Sequence, residues 1–187
     1  MKLTEALVEI LDASCVRVAI RCLSQMTLLR CRVVDWPLSP MKVVTLWLAV
    51  DDSDTENGCM RMIPGTHKFP LHEMVTSDDD SVLGSRIPAG AIAHLEDSAV
   101  DLVLKAGDVS VHAAEIVHGS RANHSNRRRG GLTIRYIPTS TEIGPANQQA
   151  CFLLQGSPTP GVKNQYLPRP KFDASKHMPF KGCEEWA

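Results

Sequence analysis

Aromatic residues are scarce in this chain. Three tryptophans, two tyrosines and four phenylalanines make up 5% of its 187 positions. The basic run Arg127, Arg128 and Arg129 has only Tyr136 close by, so it lacks the stacking platform that single-stranded nucleic acid requires. Charge of one sign is missing too: 20 Lys and Arg stand against 21 Asp and Glu, a net charge of −1. That balance removes any global pull toward nucleic acid or a membrane surface. No CxxC pair occurs among the six cysteines, at 15, 22, 31, 59, 151 and 183, so they are expected to be reduced thiols. Long apolar runs are absent, and Glu5 and Glu9 interrupt the first apolar stretch, which excludes a signal-peptide core there. The final EEWA is no peroxisomal address. The expectation is a cytoplasmic protein that neither binds nucleic acid nor enters a membrane.

What the chain does have is punctuation and alternation. Twelve prolines and twelve glycines, spread throughout, favour many turns and short strands. Leu3, Ala6, Leu7, Ile10 and Leu11 share one helical face, predicting a short amphipathic helix over residues 3–12. VRVAIRCL then alternates apolar residues with Arg17 and Arg21, as a half-buried strand does, and LRCRV repeats the pattern with Arg30 and Arg32. KVVTLWLAV, 42–50, is apolar on both faces and reads as a buried strand. CMRMI, VDLVL, DVSVH and LTIRYI supply further strands, whereas residues 71–100 and everything after Ile137 read as irregular. Short strands at turn-marked intervals predict a mostly β sandwich or jelly roll.

Candidate sites are few. The acidic turn Asp51, Asp52, Asp54, Glu56 fails as an EF-hand, because Asn57 and Ile63 stand where glycine and glutamate are needed; a solvated turn explains it. His112, His118 and His124 follow one another at six-residue steps. On one continuous strand that step puts them about 20 Å apart, while ligands of one metal sit about 2 Å from it. They cannot share an ion unless the chain folds back between them. His112 then reads as a packed strand residue and His124 as an exposed loop residue. His118 differs, because Arg129 follows eleven residues later with a strand resuming after it. That spacing suits an imidazole and a guanidinium fork on adjacent strands, the pair a 2-oxo acid needs for its chelating end and its far carboxylate.

Two separated blocks sharpen this reading. VVTLWLAVDDSDTENGCMRMIPGTHK and AGDVSVHAAEIVHGSRANHSNRRRGGLTIRYIP resemble the phytanoyl-CoA dioxygenase family of Fe(II)/2-oxoglutarate oxygenases, over about residues 36–139. The resemblance implies a double-stranded β-helix (a cupin-like jelly roll) and hydroxylation of a small organic substrate with Fe(II) and 2-oxoglutarate. It implies His118 as an iron ligand, Arg129 as the clamp on the 2-oxoglutarate carboxylate, Ser120 and Trp47 beside the cosubstrate, and His67 of PGTH, with His112, lining or supporting the pocket.

One part of the family pattern is missing. The family's iron is held by two histidines and a carboxylate, the first two ligands coming from an HxD element just before a WPLSP-like stretch. Here that text is RCRVVDWPLSP, and the ligand positions fall on Arg30 and Arg32, which stay protonated and repel a cation. Asp35 falls three residues late and, by alternation, on the opposite face from Arg32. Upstream of Arg32 no likeness is visible, as a degenerate paralogue would show, or as an altered reading frame or a mis-joined exon over residues 1–34 would produce. The division expected is a divergent segment 1–35, a jelly-roll core 36–140 and an irregular tail 141–187. Two functions remain open: an oxygenase impaired by loss of the HxD ligands, or a non-catalytic module holding a carboxylate or phosphate without metal.

Overall fold

The structure, a computed structural model, describes residues 15–22 (as backbone), 38–70, 73–76, 85–144, 151–168 and 175. The helix expected over residues 3–12, the strand expected at LRCRV, and Arg30, Arg32, Asp35 and Trp36 lie outside the described residues. Three of the expected strands form: β1 (Cys15–Cys22), β3 (Val44–Ala49) and β8 (Val109–Ala113). The longest apolar run after the arginine triplet becomes β10 (Gly130–Ile137). These four lie side by side. β10 is antiparallel to β1 over eight paired positions and to β3 over six, and β3 in turn pairs β8.

The tail is less irregular than its sequence. β12 (Cys151–Leu153) pairs β1, and β13 (Tyr166–Leu167) runs parallel to β12, giving a six-stranded sheet of order β13-β12-β1-β10-β3-β8. Both strands are two or three residues long, too short for alternation to show. A second sheet has the order β7-β4-β9, from β4 (Met60–Met62), β7 (Val100–Asp101) and β9 (His118–Ser120). Two-stranded ribbons join β2 (Leu38–Ser39) to β11 (Glu142–Ile143) and β5 (Val75–Thr76) to β6 (Ser85–Arg86). The stretch 71–100, expected to be irregular, contains α1 (Ala89–Ile92) followed by a 3-10 turn over Ala93–Ser98.

Strand alternation sorts the six-stranded sheet into two faces. On one, Leu46 and Tyr136 form a buried cluster with Val44, Leu48, Val109, Ile134 and Leu154. On the other, Trp47 and Ala49 pack against Met60 and Met62 of the second sheet, with Leu102, Leu104 and Ile116. The two sheets thus face each other across an apolar seam, a mostly β jelly roll. β3 is covered on both faces, as its unbroken apolar run predicts. Each large side chain taken out of water there contributes about 1.5–3 kcal/mol. Among the described residues Cys59 is a free, buried thiol, Cys151 is buried, and no helix is long and apolar enough to cross a membrane.

Candidate functional site

The inner face of the six-stranded sheet is where the polar residues gather. Along β10, the positions sharing Trp47's side are Gly131, Thr133 and Arg135, paired with Ala49, Trp47 and Thr45 of β3. Trp47 and Thr45 are paired onward with Ser110 and His112 of β8. Trp47 lies across Gly131 so closely that a Cβ there would be 2.2 Å from the indole ring. Glycine is therefore required at 131 for the ring to lie flat on the sheet. The same alternation carries back to Arg129, which is buried at 6% exposure.

His118 enters from the opposite sheet. It opens β9, paired with Met62 of β4, while Ser120, two residues on, pairs Met60 and is 4% exposed. The expectation that His118 and Arg129 lie on adjacent strands is corrected. β9 and β10 follow one another in sequence but belong to the two facing sheets, so His118 lies on one sheet and Arg129, immediately before β10, at the edge of the other. Consecutive strands of a jelly roll alternate between sheets, which six-residue or eleven-residue spacing does not reveal.

The His118 ring is held in one orientation. Its Nδ1 lies 2.8 Å from the Ile116 carbonyl, to which it donates in the neutral tautomer, so the lone pair is on Nε2. Burial keeps its pKa below the ordinary histidine value, with the nearby Arg135 charge acting in the same direction. A neutral imidazole with its other nitrogen bonded to a carbonyl is the form that ligates a metal. His112 stands beside it, ring centroids 5.6 Å apart and tilted by 52°. Burial first, then the neighbouring His118 and Arg135, push the His112 pKa down to about 3. The chain does fold back between these two histidines, through the turn after β8. His124 is exposed, as expected of a loop residue.

His67 is exposed on a 3-10 turn (Thr66–Lys68), and the residue of PGTH that reaches the site is Thr66. Its hydroxyl, 3% exposed, donates to the Ile63 carbonyl at 2.7 Å and accepts from the Val117 amide at 2.9 Å, fixing the residue before His118. The sequence signal was the hydroxyl itself, kept where the family block has serine.

The acidic turn and the arginines turn out to be one structure. Asp51 accepts from Arg128 through both carboxylate oxygens, at 2.7 and 2.8 Å, and from the Gly130 amide at 2.7 Å. Arg127 bonds both Asp54 and Glu56. Asn57, fully buried, accepts from the Asp54 amide at 2.8 Å and donates to the Asp52 carbonyl at 2.7 Å and the Arg128 carbonyl at 3.4 Å. Gly58 allows this contact: its φ is 74°, and a Cβ would lie 2.6 Å from the Arg121 carbonyl. The expected solvated turn is therefore a clasp, and Arg127 and Arg128 are ion-paired arms of it. Arg129 is flanked by Arg128, whose side chain is ion-paired to Asp51, and by the Gly130 amide, bonded to the same carboxylate. Its own pKa is lowered by burial, yet a guanidinium stays charged.

The family description Phytanoyl-CoA dioxygenase (PhyH) matches residues 29–131, more than half of the chain. The chain belongs to the phytanoyl-CoA dioxygenase family. The match begins ahead of Trp36, so it takes in Arg30 and Arg32, and it ends at 131 rather than near 139. The mouse protein named phytanoyl-CoA dioxygenase domain-containing protein 1 is 30% identical over 108 residues, 57% of this chain and 37% of the mouse protein. Rice phytanoyl-CoA dioxygenase 1 is 32% identical over 101 residues, 54% of this chain and 34% of the rice protein. The matched stretch thus spans about a third of these relatives. Among solved structures, the apo form of the non-heme monooxygenase ThoJ superposes with a TM-score of 0.63 at 23% identity, covering 91% of this chain and 64% of ThoJ. The epimerase SnoN, solved with Fe3+, alpha ketoglutarate and nogalamycin RO, gives a TM-score of 0.55 at 23% identity, covering 89% and 67%. At these identities the likeness shows the shared fold.

His118 fits an iron site by its carbonyl-locked ring. No group of three or more His, Cys, Asp or Glu that could hold a metal occurs among the described residues. The site supplies imidazole donors and a buried guanidinium but no carboxylate ligand among those residues.

Proposed function

We propose that this chain carries the 2-oxoglutarate end of a family oxygenase site. His118 is the iron ligand and Arg129 the clamp on the far carboxylate of 2-oxoglutarate, with Ser120 and Trp47 bordering the cosubstrate. The observation that carries the reading is a carbonyl-locked, neutral His118 on one sheet together with a buried Arg129, at the start of a strand of the facing sheet, whose following backbone amide is pinned. Bound iron and 2-oxoglutarate supply the oxidising power by which the family hydroxylates a small organic molecule. The chain's own residues orient the cosubstrate, exclude water through the Trp47–Met60–Met62 seam, and hold His118 neutral. Iron, 2-oxoglutarate and a small-molecule substrate are accordingly the partners proposed, in the cytoplasm.

Arg30 and Arg32, in the family's HxD positions, leave one family ligand of three. Weak or no succinate release from 2-oxoglutarate is expected with iron and ascorbate; robust iron-dependent turnover would refute the loss of ligands. The same two arginines favour a second reading, a non-catalytic module that binds a carboxylate or phosphate without metal. Metal-free 2-oxoglutarate binding lost in Arg129→Ala and kept in His118→Ala would favour that module. Binding that requires a divalent metal and is lost in both variants would favour the metal-bound form.

A further inference from the structure

The turn after β8 brings together two histidines that a linear strand would separate. Val109–Ala113 lies in the six-stranded sheet and His118–Ser120 in the facing one. The Ile116 amide donates to the Ala113 carbonyl at 3.3 Å, closing the turn, and Thr66 pins Val117 from outside. The result is the pair His112 and His118, ring centroids 5.6 Å apart. Two imidazoles each about 2 Å from one ion have centroids about 5 Å apart at ordinary coordination angles. A shift of about half an ångström in one ring, within side-chain freedom, closes that gap.

We infer that His112 and His118 together form a two-imidazole site for a divalent transition metal, His112 giving the chain a second nitrogen ligand in place of the missing HxD histidine. The inference rests on the proposed role of His118. Both rings are half-buried beside each other; the Nδ1 of His118 is bonded to the Ile116 carbonyl, and the Nδ1 of His112 is buried without a hydrogen-bond partner. Nε2 is therefore the ligating atom of His118, and His112 brings a ring nitrogen that no protein group satisfies. Both rings stay neutral near pH 7, so no proton has to be displaced on binding.

Opposing forces set the strength. Arg135 is one strand-pair removed from His112, through Thr45, and its charge is felt at both rings. A guanidinium there weakens the hold on a bare cation, so affinity is expected to fall short of a complete facial triad. The remaining coordination positions would go to 2-oxoglutarate and solvent. A second neutral imidazole restores binding without the carboxylate, so it does not predict restored turnover.

Calorimetric titration of the full chain with Ni(II) tests this, in the wild type and in His112→Gln, His118→Gln and His112→Ala, each checked for an unchanged melting profile. The expected result is a single site, with His118→Gln losing it and both His112 variants weakening it at least tenfold. Two variants at 112 separate ligation from packing, because glutamine keeps most of the ring's volume. Wild-type affinity in both His112 variants, with loss in His118→Gln, overturns the second ligand and leaves the role of His118 standing. No Ni(II) binding by the wild type overturns both.

Discussion

Replacing Asn57 by alanine should destabilise this protein more than its place in a polar turn suggests. The side chain is wholly buried and spends all its capacity on the backbone, accepting from Asp54 and donating to Asp52 and Arg128. Two of those bonds are short, at 2.7 and 2.8 Å; the third, at 3.4 Å, counts for little. Each short bond contributes about 1 kcal/mol net, and the amide and carbonyl left without partners add a further cost, so the total is about 2–4 kcal/mol. For a domain of this size that corresponds to a fall in Tm of about 5–15 °C. Asn57→Asp discriminates the cause. It keeps the volume and the acceptor but loses both donations, and it places a buried charge close to Asp52 and Asp54. If hydrogen bonding is the cause, the aspartate variant is at least as unstable as the alanine one. Urea unfolding of both variants is the assay. A change within about 0.5 kcal/mol for either, the range of an ordinary surface substitution, would refute the clasp.

Two other expectations follow from the same geometry. Gly131→Ala drives a methyl into the Trp47 ring, an overpacking that should cost about 1–3 kcal/mol and lower 2-oxoglutarate affinity, read by thermal melting and by titration. Stability should also fall as pH drops below 6.5. His112 and His118 have lowered pKa values in the fold, so the unfolded chain binds protons that the folded one refuses. The loss runs from the ordinary histidine value down to about 3 for His112, at up to about 1.4 kcal/mol per pH unit for each group. The depressed carboxyls Asp51, Asp52 and Asp54 act as pH falls through about 3.8, where their unfolded forms are half protonated. Unfolding midpoints that stay flat between pH 6.5 and 4.5 would contradict the neutral histidine pair.

Much of this architecture is legible in the sequence, and the misses have physical causes. Strands of five or more residues, β1, β3, β8 and β10, announce themselves by alternation or by an unbroken apolar run. β12 and β13 do not, because two or three residues carry no period, and their partners lie far along the chain. His118 and Arg129 stand out through their motif blocks. That they belong to different sheets, and that His112 joins His118, depends on which sheet each strand enters, a property of topology and not of spacing. Arg127 and Arg128 look like a solvated basic run only while the acids that bind them, some 71–77 residues away, are unknown.

The most direct test of the central claim is 2-oxoglutarate titration of the wild type, His118→Ala and Arg129→Ala, with and without Mn(II). The account predicts that Arg129→Ala weakens binding at least tenfold in both conditions, since a buried Arg–carboxylate contact is worth about 2–5 kcal/mol. It also predicts that Mn(II) tightens binding to the wild type and not to His118→Ala. Wild-type affinity in Arg129→Ala would show that the buried guanidinium is not the clamp, and the assignment of this site would fall with it.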